Sequence, residues 1–129
     1  MRDMTKVVEE IKAAKGNATA VVCDVTKEEQ INAAFAHAKA VFGPVSFVFA
    51  NAGYFKTTPL DKFSTSDVRE VLNINLIGPM LTFRAAHPHF LENGGGAIVY
   101  TRWLLLPRMQ TQIHVYILFV NFFAHSLVV

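Results

Sequence analysis

Charge is scarce in this chain. Asp, Glu, Lys and Arg make up only 17% of its 129 residues, against 52% hydrophobic residues. That balance excludes a disordered, fully solvated polymer, which needs few apolar residues and strong charge. A net charge of +2, with no basic run and no basic residues interleaved with aromatics, gives nucleic acid no electrostatic footprint. Cysteine is almost absent. Cys23 stands alone, so no internal disulfide can form, and a reduced, cytoplasmic setting is expected. The five histidines are scattered and none shares zinc-like spacing with Cys23, so no metal is expected. A charged start (Arg2, Asp3, Lys6, Glu9, Glu10) does not read as a secretory signal. Internal repeats and Pro- or Ser-rich linkers are also missing, and the length suits one domain.

The charges that exist are unevenly spread. Beyond residue 70 there are only Arg84, Glu92, Arg102 and Arg108. The chain begins as an ordinary soluble protein and becomes much more apolar.

Periodicity supplies the elements. Met4, Val7, Val8, Ile11 and Ala14 share one face of a helix over residues 4–15, stopped at Gly16. Ala18 to Cys23 is a short apolar run closing on Asp24, which predicts a parallel strand. Thr26 reads as an N-cap with Glu29 as its capping-box partner, opening a helix that buries Ile31, Ala34, Phe35, Ala38, Val41 and Phe42 and ends at Gly43-Pro44. Val45 to Ala50 reads as a second strand and Lys56 to Phe63 as a loop. Ser64 or Thr65 starts a helix with Val68, Val71, Leu72, Leu76 and Leu81 on its apolar face, and Pro79 should bend or interrupt it. Gly94-Gly95-Gly96 is a turn before a third strand, Ala97 to Thr101. Helices alternate with strands that are apolar on both faces, which points to an α/β fold with a helix-covered parallel sheet of about three strands.

Three small motifs carry chemistry. Asp24-Val25 follows a strand; Asp there is also a favoured cap of a turn or helix. Asn51-Ala52-Gly53 ends the second strand, where small residues let a ligand approach the backbone; a plain turn is the alternative, since Asn and Gly tolerate positive φ. Asn75 lies inside a helical pattern with Gly78 three residues on; an Asn bonding across to a neighbouring strand is the alternative.

Together, in this order, these pieces resemble the short-chain dehydrogenase/reductase family of nicotinamide-dependent oxidoreductases over residues 1 to about 101. The resemblance implies a partial Rossmann-like, dinucleotide-binding domain over 1–101 and an irregular, divergent apolar tail over 102–129. It implies that Asp24 bonds the adenine ring and that Val25 contacts it. It places Asn51, Ala52 and Gly53 against the cofactor ribose, with Ala50 where the family has the first Asn of Asn-Asn-Ala-Gly. Asn75 becomes the catalytic-relay residue, its backbone positioning a water that leads to a catalytic Lys. The cofactor is NAD or NADP and the substrate a small alcohol or ketone.

Departures from the family are as specific. On the resemblance, the chain begins after the opening strand and its Thr-Gly-x-x-x-Gly-x-Gly turn, whose backbone N–H groups hold the pyrophosphate. The strand at 97–101 should close on Ser-Ser, but Arg102-Trp103 follows. Tyr116 stands thirteen residues after Trp103, the usual serine-to-tyrosine spacing, yet Val120 occupies the place of the Lys. A tyrosine with an ordinary pKa near 10 is ionised to roughly 0.1% at neutral pH. Weak or absent cofactor binding and no turnover are therefore expected of this chain alone. Two other readings remain: an interaction protein that pairs with itself or a full-length relative through the helix near 64–90, and membrane association through Ile113 to Val129. That last stretch has 17 residues without formal charge, the lower limit for spanning, and His114, Asn121 and His125 interrupt it. The abrupt change after Thr101 fits an altered reading frame, alternative splicing or an imperfect gene model.

Overall fold

The structure, a computed structural model, describes residues 4–62, 64–101 and 114–116. Helix α1 (Met4–Ala13) opens the chain and α2 (Glu28–Phe42) follows. Strand β1 (Phe47–Ala50) leads to a short strand β2 (Thr57–Pro59) and a 3-10 turn (Leu60–Lys62). A continuous helical run then comprises α3 (Thr65–Leu72), a π-helical turn (Asn73–Ile77) and α4 (Gly78–Asn93). Strands β3 (Ala97–Tyr100) and β4 (His114–Tyr116) complete the described elements.

β1 and β3 pair in parallel, Val48 opposite Ile98 and Ala50 opposite Tyr100. Their connection is the helical layer, as parallel pairing requires. Alternation along β1 buries Val48 and Ala50 beneath the helices. Val48, Ala86 and Phe90 form the core cluster, with Phe35, Val45 and Ile98 packed against it. α2 lies beside α4. Two exposed ion pairs, Lys39–Glu92 and Arg84–Glu28, join them. Such pairs add little stability compared with the core.

The glycine turn is built as the sequence implied. Gly94 caps α4 in the left-handed conformation (φ 71°). Gly96 lies against the core: a Cβ there would stand 2.2 Å from Cδ1 of Phe90.

Several expectations change. Val45 does not join β1, because α4 side chains take both of its backbone groups. His89 Nδ1 accepts its N–H at 3.2 Å and Asn93 Nδ2 donates to its carbonyl at 3.0 Å. Thr26 is not the cap of α2. Its hydroxyl donates instead to Asp24 Oδ1 at 2.8 Å, and Lys27 holds the cap position without a side-chain bond. The stop of α1 is made by Lys15, at φ 63°. Val41 and Phe42 are half exposed, not buried. The supposed loop at 56–63 contains β2, which pairs antiparallel with β4, Thr57 opposite Tyr116, so part of the tail is regular. Ala18 to Cys23 forms no ladder with the described strands, leaving two parallel strands rather than three. Helices cover one face of the pair. On the other, Phe47, Phe49 and Val99 are exposed. The sequence features of residues 102–113 and 117–129, including Trp103 and Val120, lie outside the described residues.

The continuous helical run has two electrostatic supports at its start. Ser64 and Asp67 form a reciprocal capping box, and Lys56 Nζ lies 2.6 Å from Asp67 Oδ1 and 3.3 Å from Glu70 Oε2. The bond from Lys56, and then that from Ser64, hold the Asp67 carboxyl below its ordinary value of 3.8. A depressed carboxylate stabilises the fold above its unfolded pKa, and that contribution is lost as pH falls through the folded value. Thermal stability should therefore fall below about pH 4, and Asp67→Asn should unfold at a lower temperature at neutral pH with a flatter acid response. In the core, Phe90→Ala is expected to cost about 3–5 kcal/mol in denaturant unfolding, enough to unfold a marginal domain.

Candidate functional site

The site begins where the parallel strands end. In open α/β sheets, ligands bind outside the carboxyl ends of the strands. Here Ala50 and Tyr100, paired in register, are the last residues of β1 and β3. The chain leaves β1 as Asn51-Ala52-Gly53-Tyr54, all exposed. Thr101 closes the near side: its N–H donates to the Ala50 carbonyl at 3.3 Å, and its hydroxyl donates to Asn51 Oδ1 at 2.8 Å.

Asn75 closes the far side. Its Oδ1 accepts the Tyr54 N–H at 2.8 Å, and its Nδ2 donates to the Tyr54 carbonyl at 2.7 Å. One carboxamide thus satisfies both backbone groups of one loop residue, as a β-strand neighbour would. The alternative role foreseen for Asn75, bonding across from the helix, is therefore realised, onto the loop after β1 rather than onto a strand.

The backbone around Asn75 is unusual for a sequence reason. In an α-helix the Asn75 carbonyl would accept the N–H of residue 79, but that residue is Pro79, which has none. The run does not end there. It shifts to π register, with the Gly78 N–H donating to Asn73. The Tyr100 hydroxyl donates to the Asn75 carbonyl. Phe83 meets the Tyr100 ring edge-on, centroids 6.2 Å apart at 81°.

Asp24 and Val25 reach the same helical junction. A Cβ at buried Gly78 would stand 3.0 Å from Val25 Cγ2 and 3.1 Å from the Val25 carbonyl oxygen. Glycine lets the segment after Cys23 lie this close to the start of α4; any larger residue would require Val25 to give way. Asp24 itself makes a tight local turn, its Oδ1 accepting from the Thr26 N–H at 2.9 Å and from the Thr26 hydroxyl. Those two bonds hold its carboxyl below the ordinary range. Burial, and then the neighbouring Asp24, push the Cys23 thiol up, which makes it a poor nucleophile.

The structure thus gathers Asn51, Ala52, Gly53 and Asn75 at one strand end, and joins Asp24-Val25 to it through Gly78. It adds Tyr54, Tyr100 and Thr101, none of which the sequence singled out. Small, exposed loop residues leave backbone open to a ligand at this place. A separate hollow of about 390 Å³ between α2 and α4 is lined by Phe35, Pro88 and His89 and touches none of the motif residues. Among the described residues, no three His, Cys, Asp or Glu side chains are grouped to hold a metal, and no helix is long and apolar enough to cross a membrane.

Replacing Gly78 tests the junction directly. Gly78→Val should lower unfolding stability by about 1–3 kcal/mol, through overpacking against Val25. It should also raise protease sensitivity around residues 24–26.

Comparison with known proteins agrees with this geometry. The family model described as short chain dehydrogenase matches residues 1–102. The chain is 35% identical over 83 residues to a 3-oxoacyl-[acyl-carrier-protein] reductase of Mus musculus, covering 64% of this chain and 35% of that protein. It is 37% identical over 76 residues to carbonyl reductase family member 4 of Danio rerio, covering 59% and 32%. Among solved structures, a 7 alpha-hydroxysteroid dehydrogenase complexed with NADH and 7-oxo glycochenodeoxycholic acid superposes with a TM-score of 0.70 at 30% identity, over 74% of this chain and 37% of that one. The chain spans about a third of the length of these relatives. With its strand ends, its Asn-Ala-Gly loop and its Asn75 clamp in place, the chain belongs to the short-chain dehydrogenase family.

Proposed function

We propose that this chain is the central portion of an NAD- or NADP-dependent oxidoreductase acting on a small alcohol or ketone. The observation that carries the reading is the clamped loop Asn51–Tyr54, set at the carboxyl ends of two parallel strands. In this reading Asn51, Ala52 and Gly53 face the cofactor ribose. Val25, and Asp24 through the oxygen its turn does not use, face the adenine. When bound, the nicotinamide supplies the hydride chemistry, and the chain's own residues supply position. Asn75 acts by fixing the loop, while its backbone carbonyl accepts the Tyr100 hydroxyl.

Binding by this chain alone is weak in this reading, because no glycine-rich turn grips the pyrophosphate. Turnover is absent because the sequence has Trp103 in place of the serine and Val120 in place of the lysine. An indole cannot polarise a carbonyl as a hydroxyl does. A tyrosine without a neighbouring ammonium forfeits general acid catalysis worth about 10²–10⁴-fold. The relatives named above are reductases and dehydrogenases of acyl, carbonyl and steroid compounds, which supports a carbonyl or alcohol substrate class. A cytoplasmic location accords with the single reduced Cys23.

Titration of the purified chain with NADH and with NADPH, followed by nucleotide fluorescence, is the test. Affinity weaker than about 1 mM and no oxidation of either nucleotide with carbonyl substrates are expected. Micromolar binding with steady turnover would overturn the inactive reading, whereas no perturbation of residues 51–54 at any nucleotide concentration would overturn the cofactor reading.

A further inference from the structure

We infer that Tyr100 is a positioning residue that sets the Asn51–Tyr54 loop by acting through Asn75. The inference rests on the proposed function only for the meaning of that loop. The mechanical claim stands on its own.

The argument starts from Pro79. A proline four residues after Asn75 leaves the Asn75 carbonyl without its α-helical donor. Half-buried carbonyls need a partner, and an unmet one would let the turn relax into another register. The Tyr100 hydroxyl donates to this carbonyl from the neighbouring strand. The ring cannot easily swing away, because Phe83 abuts it and its backbone is fixed opposite Ala50 in the ladder.

What this holds is the orientation of the Asn75 peptide, and with it the carboxamide that grips Tyr54 at 2.8 Å and 2.7 Å. The residue after β3, Thr101, grips Asn51 at 2.8 Å. Two consecutive hydroxyl residues at the end of one strand therefore fix both ends of a four-residue loop. One acts directly and the other through the π-helical turn. Tyr100 makes other contacts as well, so the test must separate its hydroxyl from its ring.

Amide hydrogen exchange of the full chain provides the readout. Tyr100→Phe keeps the ring and removes the hydroxyl. The Tyr54 amide is expected to exchange about fivefold faster, with helix content and the protection of α4 unchanged. Phe83→Leu weakens the ring contact but keeps the hydroxyl and the strand that carries it, and should speed Tyr54 exchange clearly less than Tyr100→Phe does. Pro79→Ala returns an N–H to position 79. In that background the effect of Tyr100→Phe on Tyr54 should shrink, giving a measurable coupling. An unchanged Tyr54 rate in Tyr100→Phe, or equal loosening in Phe83→Leu, would overturn the inference. Should Tyr100→Phe fail to fold, the Pro79→Ala background decides: a double variant that folds with Tyr54 as protected as in Pro79→Ala alone supports the mechanism, and one that does not overturns it. NADH binding measured alongside keeps the two proposals apart. A chain that does not bind NADH but loosens at Tyr54 loses the cofactor reading and keeps this one.

Discussion

One carboxamide joins the helical layer of this protein to its candidate site. Asn75 projects from a helix and bonds both backbone groups of Tyr54, so the loop after β1 is tied to the helix as firmly as to its own strand. The clamp depends on where Asn75 stands, which follows from the core. Phe90 and Ala86 seat α4 on Val48, and α4 carries the π-helical turn at its head. The same helix reaches the other end of β1, where His89 and Asn93 take the backbone groups of Val45. A single helix thus defines both where β1 begins and what its exit loop can do.

Glycines act at points of contact around this helix. Gly78 admits Val25 at one end, and Gly96 admits the Phe90 ring at the other. Each removes a side chain where two segments must touch, so a larger residue at either position requires its neighbour, Val25 or Phe90, to give way.

Much of this was legible beforehand. The apolar run ending in Asn-Ala-Gly marked β1 and its exit loop, and the run after the glycine turn marked β3, because buried parallel strands carry few polar interruptions. The helix start at Ser64 or Thr65 could be read from local chemistry, whereas its capping box with Asp67 emerged only in the structure. The misses share one cause: long-range partners outcompeted local preference. Thr26 had the residue type of a cap but gave its hydroxyl to Asp24. Val45 had the apolarity of a strand residue but met His89 and Asn93, more than forty positions away. β2 was invisible because its partner lies in the tail. For Tyr100 a signal did exist. A proline four residues beyond a helical Asn announces a carbonyl in need of a donor, though not which residue will supply it.

The bare side of the β1–β3 pair has a thermodynamic consequence. Phe47, Phe49 and Val99 keep much of their surface in water while the chain is folded. Unfolding therefore uncovers less new hydrocarbon than a chain of this length would ordinarily hide. Heat-capacity increments and urea slopes both scale with that newly wetted area. Each side chain left bare in this way makes the stability curve flatter and the urea slope smaller than its burial would.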